Sequence, residues 1–276
     1  MNLDQSSPWA ITFNDVTLGY GEHLVLQHLT AKLPAGKISV ILGGSGCGKS
    51  TLLRHIMGLN LPKSGTITLG EHNLGQMTAQ EWRKVRRRMG VLFQDGALLG
   101  AMTVAENVAL PLLEHLRLPK DLILAEAKRV LSHVGLEEFG DFFPNQLSGG
   151  MRKRAGLARA IIAKPKILLC DEPTSGLDPI TAARMDDLLL SLHDKYQEMT
   201  MVVVSHDLAS LQRIAQEVLV LGQGQCLFNG SLEALLATKD PYLRAFLERA
   251  GGETEVSDLA QMDPKIDQAL TAWFSK

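Results

Sequence analysis

The sequence predicts an α/β fold in which a mostly parallel sheet is covered on both faces. Three observations predict it. Short apolar runs of strand length alternate with stretches of helical spacing, a glycine-rich loop joins one run to a helix, and another run ends in two acids. Strands buried on both faces read as near-continuous Val/Ile/Leu runs, as these do.

Taken in order, Ile11 to Leu33 reads as short strands and turns, with a tight turn at Gly19–Tyr20–Gly21. Ile38–Leu42 is a buried strand and Gly43 to Gly48 a glycine-rich loop. Ser50 onward is helical, burying Leu52, Leu53, Ile56 and Met57 on one face, and Gly58 suits its C-terminal end. Thr66–Leu69 and Val91–Phe93 read as further strands. From about Asp95 to Ala160 the character turns helical. Val104–Leu116 and Leu122–Val134 carry helical spacing, and Leu124, Ala127, Leu131 and Val134 form one stripe.

Strand patterns return at Ile167–Cys170, Val202–Ser205, Val218–Leu221 and Cys226–Phe228, with helices between. Gly251-Gly252 opens a linker. Asp263-Pro264 then starts a last helix, Asp as cap and Pro at the first position, with Ile266, Leu270, Trp273 and Phe274 on one side. That helix either contacts another subunit or folds back on its own domain.

Bulk properties exclude several classes. The 276 residues are 45% hydrophobic and 21% charged, a globular balance that rules out disorder as the dominant state. A net charge of −2 argues against a binder held by phosphate contacts, so no nucleic-acid partner is expected. Cys47, Cys170 and Cys226 are too widely spaced for a zinc site or a disulfide framework, which fits a reducing compartment. No apolar run approaches the roughly 18–20 residues of a spanning helix, and Met1 to Ala10 lacks a signal-peptide pattern. If the protein works on membranes, other chains supply the membrane part.

The chemistry sits in short motifs. Gly43-Gly-Ser-Gly-Cys-Gly-Lys49-Ser50 matches the P-loop pattern in full, between a predicted strand and a predicted helix. Its glycines let backbone N–H groups turn toward phosphate oxygens, and the helix N-terminus adds donors and a favourable dipole. Lys49 is expected to reach the β- and γ-phosphates and Ser50 to bind Mg²⁺. Ile167-Leu-Leu-Cys-Asp171-Glu172 puts carboxylates at the carboxyl edge of the sheet, where ligands of such folds bind. Asp171 suits a ligand of the metal or its water, and Glu172 can polarise an attacking water. Leu147-Ser-Gly-Gly-Met151 opens a helical stretch, Arg152 to Ala163. Alone it reads as a helix cap or as a second phosphate-binding turn.

In this order the motifs resemble the nucleotide-binding domain of the ABC family, over about residues 8 to 245. Residues 43–50 match Walker A and 167–172 match Walker B. Gln94 in Val91-Leu-Phe-Gln-Asp95 matches the glutamine loop, and 147–151 match the family signature. Tyr20 matches the adenine-stacking aromatic, Ser175-Gly-Leu-Asp178 the D-loop, and His206 in Val203-Val-Ser-His-Asp207 the switch histidine. Taken singly, Tyr20 is turn or core packing, Gln94 a solvated amide, His206 a structural histidine and Asp178 a helix cap. One departure stands out: the signature most often ends in Gln and here ends in Met151, which leaves the Ser148 hydroxyl and the Gly149 and Gly150 amides in place.

The resemblance implies an α/β P-loop NTPase core of the ABC type with an N-terminal antiparallel β part and an inserted α-helical subdomain. Residues 8–94 and 161–250 would form the core, 95–160 the helical subdomain with the signature, and 251–276 an extension. It implies ATP and Mg²⁺ as cofactors. ATP would contact Tyr20, Gly43, Gly44, Ser45, Gly46, Cys47, Gly48, Lys49, Ser50, Thr51 and Gln94. Ser148, Gly149, Gly150 and Asp178 would reach it across a head-to-tail homodimer. Ser50, Gln94 and Asp171 would attend the metal, and Glu172, His206 and Lys49 would carry catalysis.

Within the family, Leu92-Phe-Gln-Asp-Gly-Ala-Leu-Leu99, Met102 to Leu112 and Gly176-Leu-Asp-Pro-Ile-Thr181 resemble the ATPases of Mce-associated lipid transporters. They are most similar to the Mla type of Gram-negative bacteria. This implies phospholipid trafficking between inner and outer membranes, at the cytoplasmic face of the inner membrane. The expected partners are a second copy of the chain, two permease subunits, a periplasmic Mce-domain lipid-binding protein and a small cytoplasmic STAS-domain protein. A non-lipid ABC importer or exporter shares every catalytic motif and stays open as the alternative. A soluble ABC protein usually carries two such domains, and this chain has one P-loop and one signature.

Overall fold

The computed structural model describes residues 9–249, so the extension 251–276 and its expected helix lie outside the described residues. The chain opens with β1 (Ile11–Tyr20), β2 (His23–Leu33), β3 (Ile38–Leu42) and α1 (Lys49–Ile56). Next come β4 (Ser64–Leu69), β5 (His72–Asn73), α2 (Ala79–Arg86) and β6 (Met89–Leu92). Three helices follow with no strand among them, α3 (Val104–His115), α4 (Lys120–His133) and α5 (Gly149–Ile161). The chain then alternates through β7 (Ile167–Asp171), α6 (Pro179–Lys195), β8 (Thr200–Val204), α7 (Leu208–Ile214) and β9 (Glu217–Gly222). It continues with β10 (Gln225–Ser231), α8 (Leu232–Leu236) and α9 (Pro241–Arg249).

Two sheets result. A six-stranded sheet has the order β10-β9-β3-β8-β7-β6 and is parallel from β9 to β6, with β10 antiparallel at one edge. A four-stranded sheet, β2-β1-β4-β5, is antiparallel throughout. The α/β class, the antiparallel N-terminal part and the helical stretch between β6 and β7 agree with the sequence expectation. The first hairpin turns at Gly21–Glu22, and Tyr20 ends β1 instead of lying inside the turn.

Strand alternation divides the core in two. Val40 and Leu42 of β3, Cys170 of β7 and Val203 of β8 face α3 to α7. Ile41, Leu169, Val204 and Leu221 point the other way, against Leu52, Leu53 and Ile56 of α1 and the inner face of the antiparallel sheet. Both sheet faces are therefore dry, which explains why β3 and β8 are buried at every position. On α4, Ala127, Leu131 and Val134 are buried as expected, joined by Ile123 and Val130, while Leu124 is half-buried. The helix α2 was not legible from apolar spacing, although Thr78 and Glu81 form a capping box that starts it, as Thr103 and Glu106 do for α3.

The helices α6 and α7 flank the chain around β8. Ser210 Oγ donates to Asp186 Oδ1 at 2.7 Å, and Asp186 is buried on α6. Burial pushes the Asp186 pKa up, with the Ser210 bond opposing. A carboxyl raised by folding holds its proton more tightly folded than unfolded. The stability from that proton is present below the ordinary Asp value of about 3.9 and is lost as pH rises through the raised one. Asp186→Asn removes this dependence. In urea unfolding at stepped pH, the stability difference between variant and wild type should move in the variant's favour from pH ~4 to ~7. A flat difference would contradict a pKa raised by burial at Asp186.

Candidate active site

Register gathers the motif residues at one sheet edge. Ile41 of β3 and Asp171 of β7 both pair with Val204 of β8, and Leu92 of β6 pairs with Cys170. The segments that leave these strands, starting at Gly43, Glu172, Ser205 and Phe93, therefore emerge side by side at the carboxyl edge.

The loop from β3 to α1 wraps tightly. Gly48 caps α1 with φ 107°, a conformation open to glycine, and a Cβ there would sit 2.9 Å from Val25 and Leu26 side-chain carbons. Gly44, Ser45 and Gly46 are exposed, while Cys47 and Thr51 are half-buried. The Lys49 ammonium donates to Gly43 O at 2.7 Å and Gly44 O at 3.1 Å, so its charge sits over the loop. Ser50 is exposed at the start of α1, which packs over β7. Gly58 closes α1 with φ 65°, as expected.

Asp171 ends β7 half-buried. Its Oδ1 is buried and has no hydrogen-bond partner among the described residues. Burial raises its pKa, neighbouring Glu172 adds to the rise, and Lys49 and Arg54 oppose it. An orphaned carboxylate oxygen near a P-loop suits a hydrated divalent cation. Among the described residues no cluster of three or more His, Cys, Asp or Glu could cage a metal. The donor set thus fits a cation that relies on Asp171, the Ser50 hydroxyl, water and phosphate oxygens. Cys170, fully buried behind Asp171, has its thiol pushed up to about 12 by burial and the adjacent carboxylate, so it is no nucleophile.

Glu172 has φ 50°, an uncommon conformation for a non-glycine residue. Its N–H donates to Val204 O at 3.0 Å, and His206 Nδ1 donates to its Oε2 at 2.7 Å. The Glu172 side chain is 14% exposed and that of His206 65% exposed. Glu172 and His206, 34 positions apart in sequence, are thereby brought together. Gln94 is exposed just beyond β6. Tyr20 is 41% exposed, and Arg54 Nη1 reaches its hydroxyl at 3.5 Å.

The second glycine-rich turn lies apart. Ser148 caps α5, its Oγ accepting from Met151 N at 3.3 Å, and Ser148 and Gly149 are exposed. Gly150 is packed so closely that a Cβ would lie 2.9 Å from Thr181 Cγ2. Asp178 caps α6, accepting from Ile180 N at 3.1 Å and Thr181 N at 3.0 Å, and the Thr181 side chain, followed by these backbone bonds, holds its carboxyl below the usual range. Asp178 and the signature turn therefore meet within one chain. Among the described residues no hydrogen bond links Ser148–Gly150 to residues 43–50.

Sequence reading passed over Lys153, which is 5% exposed on α5. A signal existed. Lys153 shares a helical stripe with Gly156, Leu157 and Ala160, all buried, so it cannot face water.

Comparison with known proteins gives a consistent result. The family profile described as ABC transporter matches residues 26–175. The chain is 39% identical over 246 residues to "Intermembrane phospholipid transport system ATP-binding protein MlaF" of Escherichia coli (strain K12), covering 89% of this chain and 91% of that one. It is 37% identical over 257 residues to "Probable ribonucleotide transport ATP-binding protein mkl" of Mycobacterium tuberculosis, covering 92% and 71%. Among solved structures, the dimeric post-hydrolysis cassette MJ0796 bound to ADP and Pi superposes with a TM-score of 0.73. The identity is 31%, over 80% of this chain and 98% of that one.

Proposed function

The chain belongs to the ABC transporter family as an ATP-binding subunit, and from that premise we propose that it powers phospholipid trafficking between the inner and outer membranes of a Gram-negative bacterium. The reaction itself, ATP hydrolysis coupled to transport, is that of the family. The lipid assignment is carried by one observation, the nearly end-to-end match to the E. coli protein named for intermembrane phospholipid transport. A second reading, a non-lipid transporter, is favoured by the similarity to the protein named for ribonucleotide transport.

Residues 8–94 and 161–250 act as the ATP-binding core and 95–160 as the helical subdomain. Two copies pair head to tail, as the dimeric state of the similar cassette supports. The exposed Ser148 and Gly149 of one copy then complete the P-loop site of the other, with Asp178 beside them. A lone chain should hydrolyse poorly, since each site lacks its second half.

Lys49 swings from the Gly43 and Gly44 carbonyls to the β- and γ-phosphates. Loop amides hold the phosphate chain, Tyr20 offers its ring to adenine, and Gln94 approaches from β6. Mg²⁺, when bound, neutralises phosphate charge, and Ser50 and Asp171 are the residues that would hold it, with Gln94 beside them. Glu172 orients and polarises the attacking water, and His206 turns from the Glu172 carboxylate toward the γ-phosphate. Catalysis here is positioning plus electrostatic stabilisation.

No helix among the described residues is long and apolar enough to cross a membrane. ABC cassettes function with membrane permeases. We place this chain at the cytoplasmic face of the inner membrane, held by two permease subunits, with an Mce-domain protein in the periplasm and a STAS-domain protein in the cytoplasm. The test is to purify the tagged chain from gently solubilised membranes and identify co-purifying proteins by mass spectrometry. A permease together with an Mce-domain protein is the expected result. A different permease would discard the lipid assignment and leave the ATPase mechanism intact.

A further inference from the structure

The basic run of α5 is not a solvated face. Arg152 Nη1 donates to Leu147 O at 2.7 Å, and Arg154 Nη1 to Val134 O at 2.8 Å. Arg159 donates to Gly96 O at 2.8 Å and Ala97 O at 2.7 Å. Lys153 reaches furthest into the active site. Its Nζ donates to Glu172 O at 2.9 Å and to Ser175 O at 2.5 Å. Arg152 braces the lead-in to its own helix, while Lys153, Arg154 and Arg159 tie α5 to backbone carbonyls of other segments. The helix is seated so tightly that a Cβ on Gly156 would meet Gly96 Cα at 2.8 Å.

The two carbonyls held by Lys153 bracket a turn. Ser175 N donates to Glu172 O at 3.2 Å, so the Glu172 carbonyl accepts from both its own turn and the ammonium. Glu172 sits at φ 50°, where an L side chain is disfavoured and persists only if its surroundings over-determine it. The peptide planes on either side of Glu172 set where its carboxylate points. One is fixed by Val204 and the other by Lys153. A buried ammonium is costly unless hydrogen-bonded, and here the Glu172 and Ser175 carbonyls supply the acceptors that let it stay charged. Burial lowers the Lys153 pKa, with Asp95 and Glu172 pulling it back up.

We propose that Lys153 is a positioning residue for hydrolysis, an ammonium strut from the signature helix that holds the Glu172 and Ser175 carbonyls and so aims the Glu172 carboxylate. This rests on the reading of Glu172 as the water-polarising group. Lys153 does not touch the reacting atoms. Its loss should therefore reduce the chemical step and leave nucleotide affinity nearly unchanged. A displacement of about 1 Å at such a carboxylate is enough for a rate loss on the order of 10²-fold.

The test compares Lys153→Met and Lys153→Gln in the full chain, purified with its membrane partner. ATPase kinetics, binding of a fluorescent ATP analogue and thermal unfolding are measured in parallel. Lys153→Met keeps the length and removes the donors, and kcat should fall roughly 10- to 100-fold with ATP affinity within about threefold. Lys153→Gln keeps N–H donors on a shorter arm, and a smaller loss of roughly 3- to 10-fold is expected, again with affinity held. If Lys153→Met does not fold, Lys153→Gln decides. Wild-type kcat in whichever variant folds would overturn the strut, as would a loss of turnover matched by an equal loss of ATP binding. Glu172→Gln is the control for the premise. If it is inactive while the Lys153 variants are unimpaired, the strut alone fails. If Glu172→Gln hydrolyses normally, the premise fails.

Discussion

Glu172→Gln is expected to lower ATP turnover about 10³-fold while leaving ATP affinity within a few-fold of wild type. The substitution keeps the size of the side chain and exchanges a proton acceptor for an amide. The backbone ties of Glu172 to Val204 and Lys153 are untouched, and an amide can still accept from His206 at the 2.7 Å contact. What disappears is the negative charge that the proposed function assigns to polarising water. With hydrolysis blocked, the closed pair of cassettes should persist in ATP, and size exclusion with Mg²⁺-ATP should detect a stable dimer. Normal turnover in this variant would remove Glu172 from its role and move the search to another acceptor near Asp171.

The second large effect is at Lys49. Lys49→Ala removes the only side chain that bonds the Gly43 and Gly44 carbonyls among the described residues, and with it the cation expected at the phosphates. Hydrogen bonds to charged groups contribute about 1.5–3 kcal/mol, so ATP affinity should fall roughly 10- to 100-fold and turnover with it. Equilibrium binding of a fluorescent nucleotide measures this directly. The two variants separate two functions: Glu172→Gln binds and does not turn over, whereas Lys49→Ala binds poorly. Unchanged affinity in Lys49→Ala would sink the P-loop assignment.

Most elements were legible in the sequence because their signals are local. Ile38–Leu42 reads as a buried strand from five adjacent residues, and the P-loop reads from eight. Asp178-Pro179 announces the start of α6, and the structure places Asp178 there as the cap. The α2 helix was missed because its apolar pattern is sparse, with Trp82 and Val85 its buried residues. Its capping box was the better signal. Lys153 was missed because a basic run usually marks a solvated face, and only its shared stripe with buried Gly156, Leu157 and Ala160 argues otherwise.

By itself the sequence determined the class of fold from local patterns of strand and helix, and the order of its motifs carried the resemblance that implies the ATP chemistry. The tertiary structure alone decided which of those residues meet. Placing β8 between β3 and β7 brings His206 to Glu172, and no local pattern encodes strand order. It likewise decided that Lys153 pairs with carbonyls about twenty positions away, because a buried cation takes whichever acceptors the packed chain leaves beside it. It also set Ser148–Gly150 at the start of α5 and the P-loop at the end of β3, with no hydrogen bond between them among the described residues.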